Sequence, residues 1–181
     1  MTSWTHFDTD GRPVMMDVSE KEISVRKAVA ECWIELTDVI YVAVRERHVF
    51  KGDPISVSEL GGIMGAKKTP DIIPLCHSIR LEGVKVRCEL RNIADESSEY
   101  TEKTGKNFLR VECEVVTKDV TGVEMEALTG AGVAALVFYD MCKVLDKGMV
   151  IRDLRLLEKS GGKSGEWSGP RSELIQETKR T

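Results

Sequence analysis

Asp140, Lys143 and Lys147, in the stretch YDMCKVLDK, fall at i, i+3 and i+7, the spacing of one helix face. A carboxylate beside an ammonium group suits proton transfer, because each shifts the other's pKa. The helix upstream carries no charge between Glu126 and Asp140, so these charges mark either an exposed helix end or a polar cleft. Glu124, Met125 and Glu126 follow Thr121-Gly122. An extended backbone would aim both carboxylates one way, whereas a helix would diverge them, and acids are at home at a helix N-terminus in any case. Lys51 sits beside Gly52 and reads as a C-terminal cap lysine or an anion contact.

Leu75, Cys76 and His77 follow Lys67-Lys68 and two prolines, Pro70 and Pro74, which stiffen the backbone around a potential acid/base imidazole. Burial of Cys76 as a structural thiol is the competing account. Adjacent residues reach one ion poorly, and no second Cys or His lies at ligand spacing, so no metal site is expected. A Cys76 nucleophile with His77 as its base is disfavoured, because neighbours in a strand point to opposite faces. The run LEKSGGKSGEW contains Gly162-Lys163-Ser164, the end of a nucleotide phosphate loop. The glycine that such a loop requires five residues before Gly162 is Leu157, and the residues up to Pro170 make a poor helix start. Lys159 and Lys163 are therefore expected to act through their side chains. With Lys51, Lys67, Lys68, His77, Lys143 and Lys147 they form a set of cations around turns in a chain of net charge −4, which points to a polyanionic small ligand.

The acidic balance argues against general nucleic-acid binding. Five cysteines, Cys32, Cys76, Cys88, Cys113 and Cys142, lack any C-x-x-C pair and suit a reducing compartment. No signal-peptide pattern opens the chain, and no apolar run reaches the ~18 residues of a membrane span; the expectation is a cytoplasmic protein without a membrane. The 181 residues suit one domain, placed at 14–165 between tails 1–13 and 166–181.

These groups must be positioned by regular elements. Alternation predicts strands over Val25–Leu36, Leu81–Leu90, Asn107–Thr117 and Met149–Leu157. Helices are expected from Thr37-Asp38 to about His48, from Ser56 to Lys68 with Ser56 and Glu59 as a capping box, and from Met125 to Asp146. Residues 91–106 read as a charged, mobile hairpin loop. The order β-α-α-β-β-α-β implies an α+β, ferredoxin-like fold, with an antiparallel sheet and helices packed on one face. Gly130 and Gly132 each cost about 1 kcal/mol in the long helix, which suggests close packing against another backbone, a subunit interface being one cause.

Three runs, KGDPISVSELGGIMGAKKTPDIIPLCH, TGVEMEALTGAGVAALVFYDMCK and VIRDLRLLEKSGGKSG, resemble the cyclic pyranopterin monophosphate synthase family of molybdenum cofactor biosynthesis, over roughly Val14 to Gly165. The resemblance implies a homohexamer, a trimer of dimers, with sites at subunit interfaces. It implies a lyase that converts 3',8-cyclo-7,8-dihydroguanosine 5'-triphosphate to cyclic pyranopterin monophosphate and pyrophosphate. By motif, Asp140 matches the family's catalytic acid/base residue, with Lys143 beside it, and Lys51 matches a further position of the catalytic site. Leu75, Cys76, His77, Glu124, Met125, Glu126 and Lys159 match substrate contacts, as do Asp17, Lys21 and Arg26 in a less distinctive setting. No organic cofactor is implied, although Mg²⁺ could accompany the triphosphate. Ser78 stands where family members often carry proline. The alternative from another class is a non-catalytic nucleotide-triphosphate sensor of the same fold, which would have no need of Asp140.

Overall fold

A computed structural model of the chain describes residues 6–49, 51–93 and 106–170. Its elements are β1 (Ser24–Leu36), α1 (Asp38–Arg45), α2 (Pro54–Lys67), α3 (Thr69–Ile72), β2 (Gly83–Ile93), β3 (Lys106–Asp119), α4 (Glu124–Cys142), β4 (Val150–Ser160) and β5 (Trp167–Ser168). The strands form one antiparallel sheet in the order β2-β3-β1-β4-β5. Two split β-α-β units thus interleave, with β3 between β1 and β2, and β1 between β3 and β4, as in the ferredoxin-like arrangement.

Alternation in β1 sorts its side chains to two faces. Ala28, Ala30, Cys32 and Ile34 lie fully buried under the helices, opposite Val115, Cys113, Val111 and Leu109 of β3. The other face carries Glu31, which is fully buried although no helix among the described residues lies on that face. Arg110 pairs with it at 3.1 Å and Arg155 approaches to 3.9 Å, and the Arg110 guanidinium also stacks near Trp33. This ionic core of the outer face has no signature in the alternation pattern.

The helix layer depends on small residues. A Cβ on Gly62 would lie 2.9 Å from the carbonyl oxygen of Gly130, and one on Gly130 would lie 2.6 Å from Cys113 Sγ. Glycine at both positions lets α2 and α4 close on each other and on β3. Gly130→Val is expected to destabilise the chain by roughly 1–3 kcal/mol, the range for overpacking, measured by urea denaturation; unchanged stability would refute this packing account. By length and composition α4 could also cross a membrane, but here it is the central helix of the core, with Ala127, Ala131, Ala134, Ala135 and Phe138 fully buried.

Several boundaries differ from expectation. The cap of α2 is Asp53, whose carboxylate accepts the Ile55 N–H at 3.0 Å, with Pro54 opening the helix. Glu59 instead reaches across to accept the Cys88 backbone N–H at 3.0 Å, so the Ser56/Glu59 spacing is not a capping box. The two-proline connector contains α3, and α1 stops at Arg45. α4 ends at Cys142, so Lys147 lies beyond it and does not share a helix face with Asp140. The expected 91–106 loop falls mostly on residues 94–105, outside the described residues. β5 extends the sheet past 165, with Lys159 opposite Trp167.

Candidate functional site

The sequence-predicted residues gather in two clusters, one at each end of α4. At its N-terminal end, Lys21, Leu75, Cys76, His77, Glu124, Met125 and Glu126 line a cleft of ≈ 340 Å³ together with His6, Met16, Val18, Thr121 and Gly122. Here α4 is helical from Glu124 onward, which resolves the two acids as divergent. Glu126 turns inward and is buried. Burial pushes its carboxyl up from the ordinary range, and the nearby Glu124 adds to the rise. Glu124 turns outward to Lys159, 3.5 Å away. A Cβ on Gly122 would collide with the Glu124 carboxylate, so that glycine leaves room for this pair.

His77 is held by the N-terminal segment, its Nε2 lying 2.8 Å from the Met16 carbonyl oxygen. A carbonyl only accepts, so Nε2 carries the hydrogen and Nδ1 is left for other partners. Ring placement therefore rests on Met16 and makes no use of a proline at 78. Cys76 is partly buried, and its thiol is pushed up by burial and by Glu126, which disfavours the nucleophilic thiolate. The other four cysteines are buried and free, with the thiols of Cys32, Cys88 and Cys113 driven to about 12 chiefly by burial. Asp17 accepts the Ser19 backbone N–H at 2.9 Å and shapes the turn that carries Lys21. Hydrogen bonding to Ser19 holds its exposed carboxyl below the ordinary value.

A second cleft, of ≈ 530 Å³, adjoins the first through Lys21 and is lined also by Glu22, Ser24, Arg26, Gly162, Lys163 and Ser164. Arg26 donates from Nε and one Nη to the carbonyls of Asp119 and Val120, both at 3.0 Å, which fixes the guanidinium and ties β1 to the segment leading into α4. Gly161 and Gly162 adopt φ of 93° and 70°. A side chain on either would also collide with the Val25 carbonyl or the Arg26 guanidinium. These glycines make a tight turn beside Arg26, and β5 rather than a helix follows, so the phosphate-loop reading fails structurally as well. Lys159 reaches the Ser164 hydroxyl across this turn. Met16 has no place in the sequence reading, and Thr121 and Ser164 figure there only as neighbours of other motifs, since backbone carbonyls and lone hydroxyls leave no spacing signal.

At the C-terminal end of α4, Lys143 pairs with Asp140 at 2.6 Å, and Lys51 donates to the Asp140 carbonyl at 3.4 Å. Lys143, then Lys51, hold the Asp140 carboxyl below its ordinary value, while Asp140 holds the Lys143 ammonium above its own. Tyr139 donates its hydroxyl to the Lys147 carbonyl at 3.2 Å and shapes the turn beyond the helix. Lys68 is engaged with Asp71 at 3.0 Å and lines neither of the two clefts. Glu126 and Asp140 are thus about 21 Å apart along the helix axis, at roughly 1.5 Å per residue. One small substrate cannot touch both within a single chain.

No group of three or more His, Cys, Asp and Glu could hold a metal ion among the described residues. The arrangement offers two proton-transfer centres shifted in opposite directions, a buried carboxyl raised by burial and an exposed carboxyl lowered by its lysine partner, with cations along the adjoining cleft.

A protein of Lysinibacillus sphaericus called cyclic pyranopterin monophosphate synthase is 45% identical over 168 residues, covering 93% of this chain and 99% of its own. Proteins of the same name from Geobacillus sp. (strain WCH70) and Bacillus licheniformis are 45% and 44% identical over 174 and 178 residues. They cover 96% and 98% of this chain, and 96% and 99% of their own lengths. The model of the MoaC family matches residues 15–162, which include Lys21, His77, Glu126, Asp140 and Lys143, and this chain belongs to the MoaC family.

Proposed function

We propose that this chain is a lyase of molybdenum cofactor biosynthesis that converts 3',8-cyclo-7,8-dihydroguanosine 5'-triphosphate to cyclic pyranopterin monophosphate and pyrophosphate. The observation that carries the reading is the pairing of opposite proton-transfer groups with a cationic cleft. Opening and reclosing the purine-derived ring moves protons at nitrogen and carbon, work for Glu126, Asp140 and Lys143. Expulsion of pyrophosphate develops negative charge, which Lys21, Arg26, Lys51, His77 and Lys159 stabilise. Leu75, Cys76 and Met125 pack against the ring system, while Asp17 holds the turn of Lys21. The rearrangement involves no net redox change and so calls for no organic cofactor, and any Mg²⁺ arrives with the triphosphate. The enzyme works in the cytoplasm. A nucleotide-triphosphate sensor would use the cations but has no use for a buried carboxyl raised toward its protonated form.

The active site is composite, with Glu126 and His77 from one copy and Asp140, Lys143 and Lys51 from another, in a homohexamer built as a trimer of dimers. The separation along α4 supports this, since it denies one chain a complete site. Glu126→Ala and Asp140→Ala should each be inactive alone. Refolded together in equal amounts, they should recover about one quarter of wild-type turnover, the statistical yield of intact sites in mixed pairs. Pyrophosphate release and the fluorescent pterin formed on oxidation are the readouts. Co-refolded variants that remain inactive while shown to share oligomers would sink the composite site, and a wild type that binds GTP analogues without turnover would favour the sensor.

A further inference from the structure

We propose that His6 is a further substrate-binding residue, carried by an N-terminal hairpin to the cleft of His77, where its imidazole donates to the phosphate end of the substrate; this rests on the lyase reading above. His6 lines that cleft together with Lys21, His77, Glu124 and Glu126. It is exposed, and no hydrogen bond or ion pair engages its side chain among the described residues. His77, by contrast, is held by Met16. A polar side chain that borders a binding cleft without a partner in its own chain is open to a ligand.

What places His6 there is the hairpin of residues 6–14, which precedes the stretch matched by the MoaC family model. Phe7 and Pro13 form an antiparallel bridge, and the Val14 N–H donates to the His6 carbonyl at 3.0 Å. The Asp8 carboxylate closes the turn by accepting the Asp10 and Arg12 N–H groups at 2.9 and 2.8 Å. Gly11 takes a φ of 75°, a conformation that glycine, and after it asparagine, adopts most readily. Every side chain from His6 to Met15 is exposed, so burial contributes little and these backbone bonds carry the shape. The base of the hairpin is fixed on the site itself. Two residues past Val14, the Met16 carbonyl lies 2.8 Å from His77 Nε2, and the Met16 sulfur accepts from Lys21 Nζ at 3.6 Å.

The charges around the cleft decide which part of the substrate His6 meets. α4 supplies the carboxylates Glu124 and Glu126, whereas the N-terminal segment supplies Lys21, which also borders the adjoining cleft with Arg26 and Lys163. One acid, Glu22, lines that second cleft as well. A ring with N–H donors suits the carboxylates, and a polyphosphate suits the cations. His6 belongs to the segment of Lys21, and an imidazole N–H that donates to a phosphate oxygen makes a charge-assisted bond.

The test uses the full-length protein, with the cyclised triphosphate as substrate and inorganic tripolyphosphate as a probe of anion binding alone. His6→Ala should keep the circular dichroism of wild type, since the side chain is exposed. It should raise KM and weaken tripolyphosphate binding in calorimetry by about tenfold each, the loss of one hydrogen bond to a charged group, with kcat within about twofold of wild type. His6→Lys should restore both. Gly11→Val keeps His6 but sets a β-branched residue at positive φ, where its Cβ would meet nothing within 4 Å. It should reproduce the His6→Ala behaviour, and Gly11→Asn should not. Unchanged KM and tripolyphosphate affinity in folded His6→Ala overturn the contact, as does a fall in kcat at constant KM, which would move the imidazole to the chemical step. Wild-type behaviour of Gly11→Val overturns delivery by the hairpin. A wild type that binds tripolyphosphate through His6 yet releases no pyrophosphate from the cyclised triphosphate would keep the anion contact and remove the lyase reading instead.

Discussion

Replacing Asp140 or Lys143 with alanine is expected to lower turnover by about 10²–10⁴-fold, the range for a positioned acid or base, while secondary structure and melting temperature stay close to wild type. The stability half of this expectation follows from exposure. In the single chain neither side chain is buried, and an exposed i, i+3 ion pair contributes little to folding. The catalytic half follows from charge. With Lys143 and Lys51 beside it, Asp140 is a carboxylate at neutral pH and ready to accept a proton, and Lys143, raised by Asp140, is an ammonium group able to donate one. A second readout separates this role from simple substrate binding. Activity that needs the Asp140 carboxylate falls as pH drops through its pKa, which Lys143 depresses. In Lys143→Met the acid limb of the residual pH–rate profile should therefore move to higher pH. Near-normal turnover in either alanine variant, or an acid limb that stays put, would remove the pair from the mechanism.

The legibility of this site tracks how locally each signal is written. Asp140 and Lys143 could be read because Lys143, the C-cap, still keeps helical backbone and falls on the face of Asp140, and Lys147 misled because it lies well past the helix end. The four long strands and three of the helices follow from alternation and apolar spacing, which reflect the packing of alternate strand residues under the helices. What escaped depends on contacts between distant segments. Ser56 and Glu59 have the spacing of a cap, yet Glu59 binds the β2 backbone, and Asp53, with Pro54 after it, takes the capping role. His77 is oriented by a carbonyl at Met16, a group every residue possesses. The buried Glu31 with Arg110 and Arg155 joins three strands, so no local pattern announces it. Even Gly161 and Gly162, which as sequence resemble part of a phosphate loop, depend for their meaning on Arg26 packed beside them.

Glu126→Gln should slow turnover by about 10²–10⁴-fold and yet raise the melting temperature at neutral pH. The two effects have one cause. Burial and the neighbouring Glu124 lift the Glu126 carboxyl above its unfolded value. Between the unfolded and folded pKa the native chain binds more protons than the unfolded chain, so stability falls as pH rises through that window. Below the unfolded value the penalty is absent; above the folded value it is fully present. Glutamine keeps the shape and removes the charge, so the variant should lose this segment of the pH dependence and gain stability where wild type bears the desolvation cost. Thermal melts of both proteins at several pH values from about 4 to 8 would show the curves converging at the acid end, with the Glu126→Gln variant lying above wild type at the neutral end. A variant that is neither more stable nor less active would leave Glu126 as an ordinary helix-terminal acid. The sensor alternative predicts the gain in stability without any chemistry to lose. Stability and turnover measured on the same preparation therefore separate a buried acid that catalyses from one that merely sits beside an anion site.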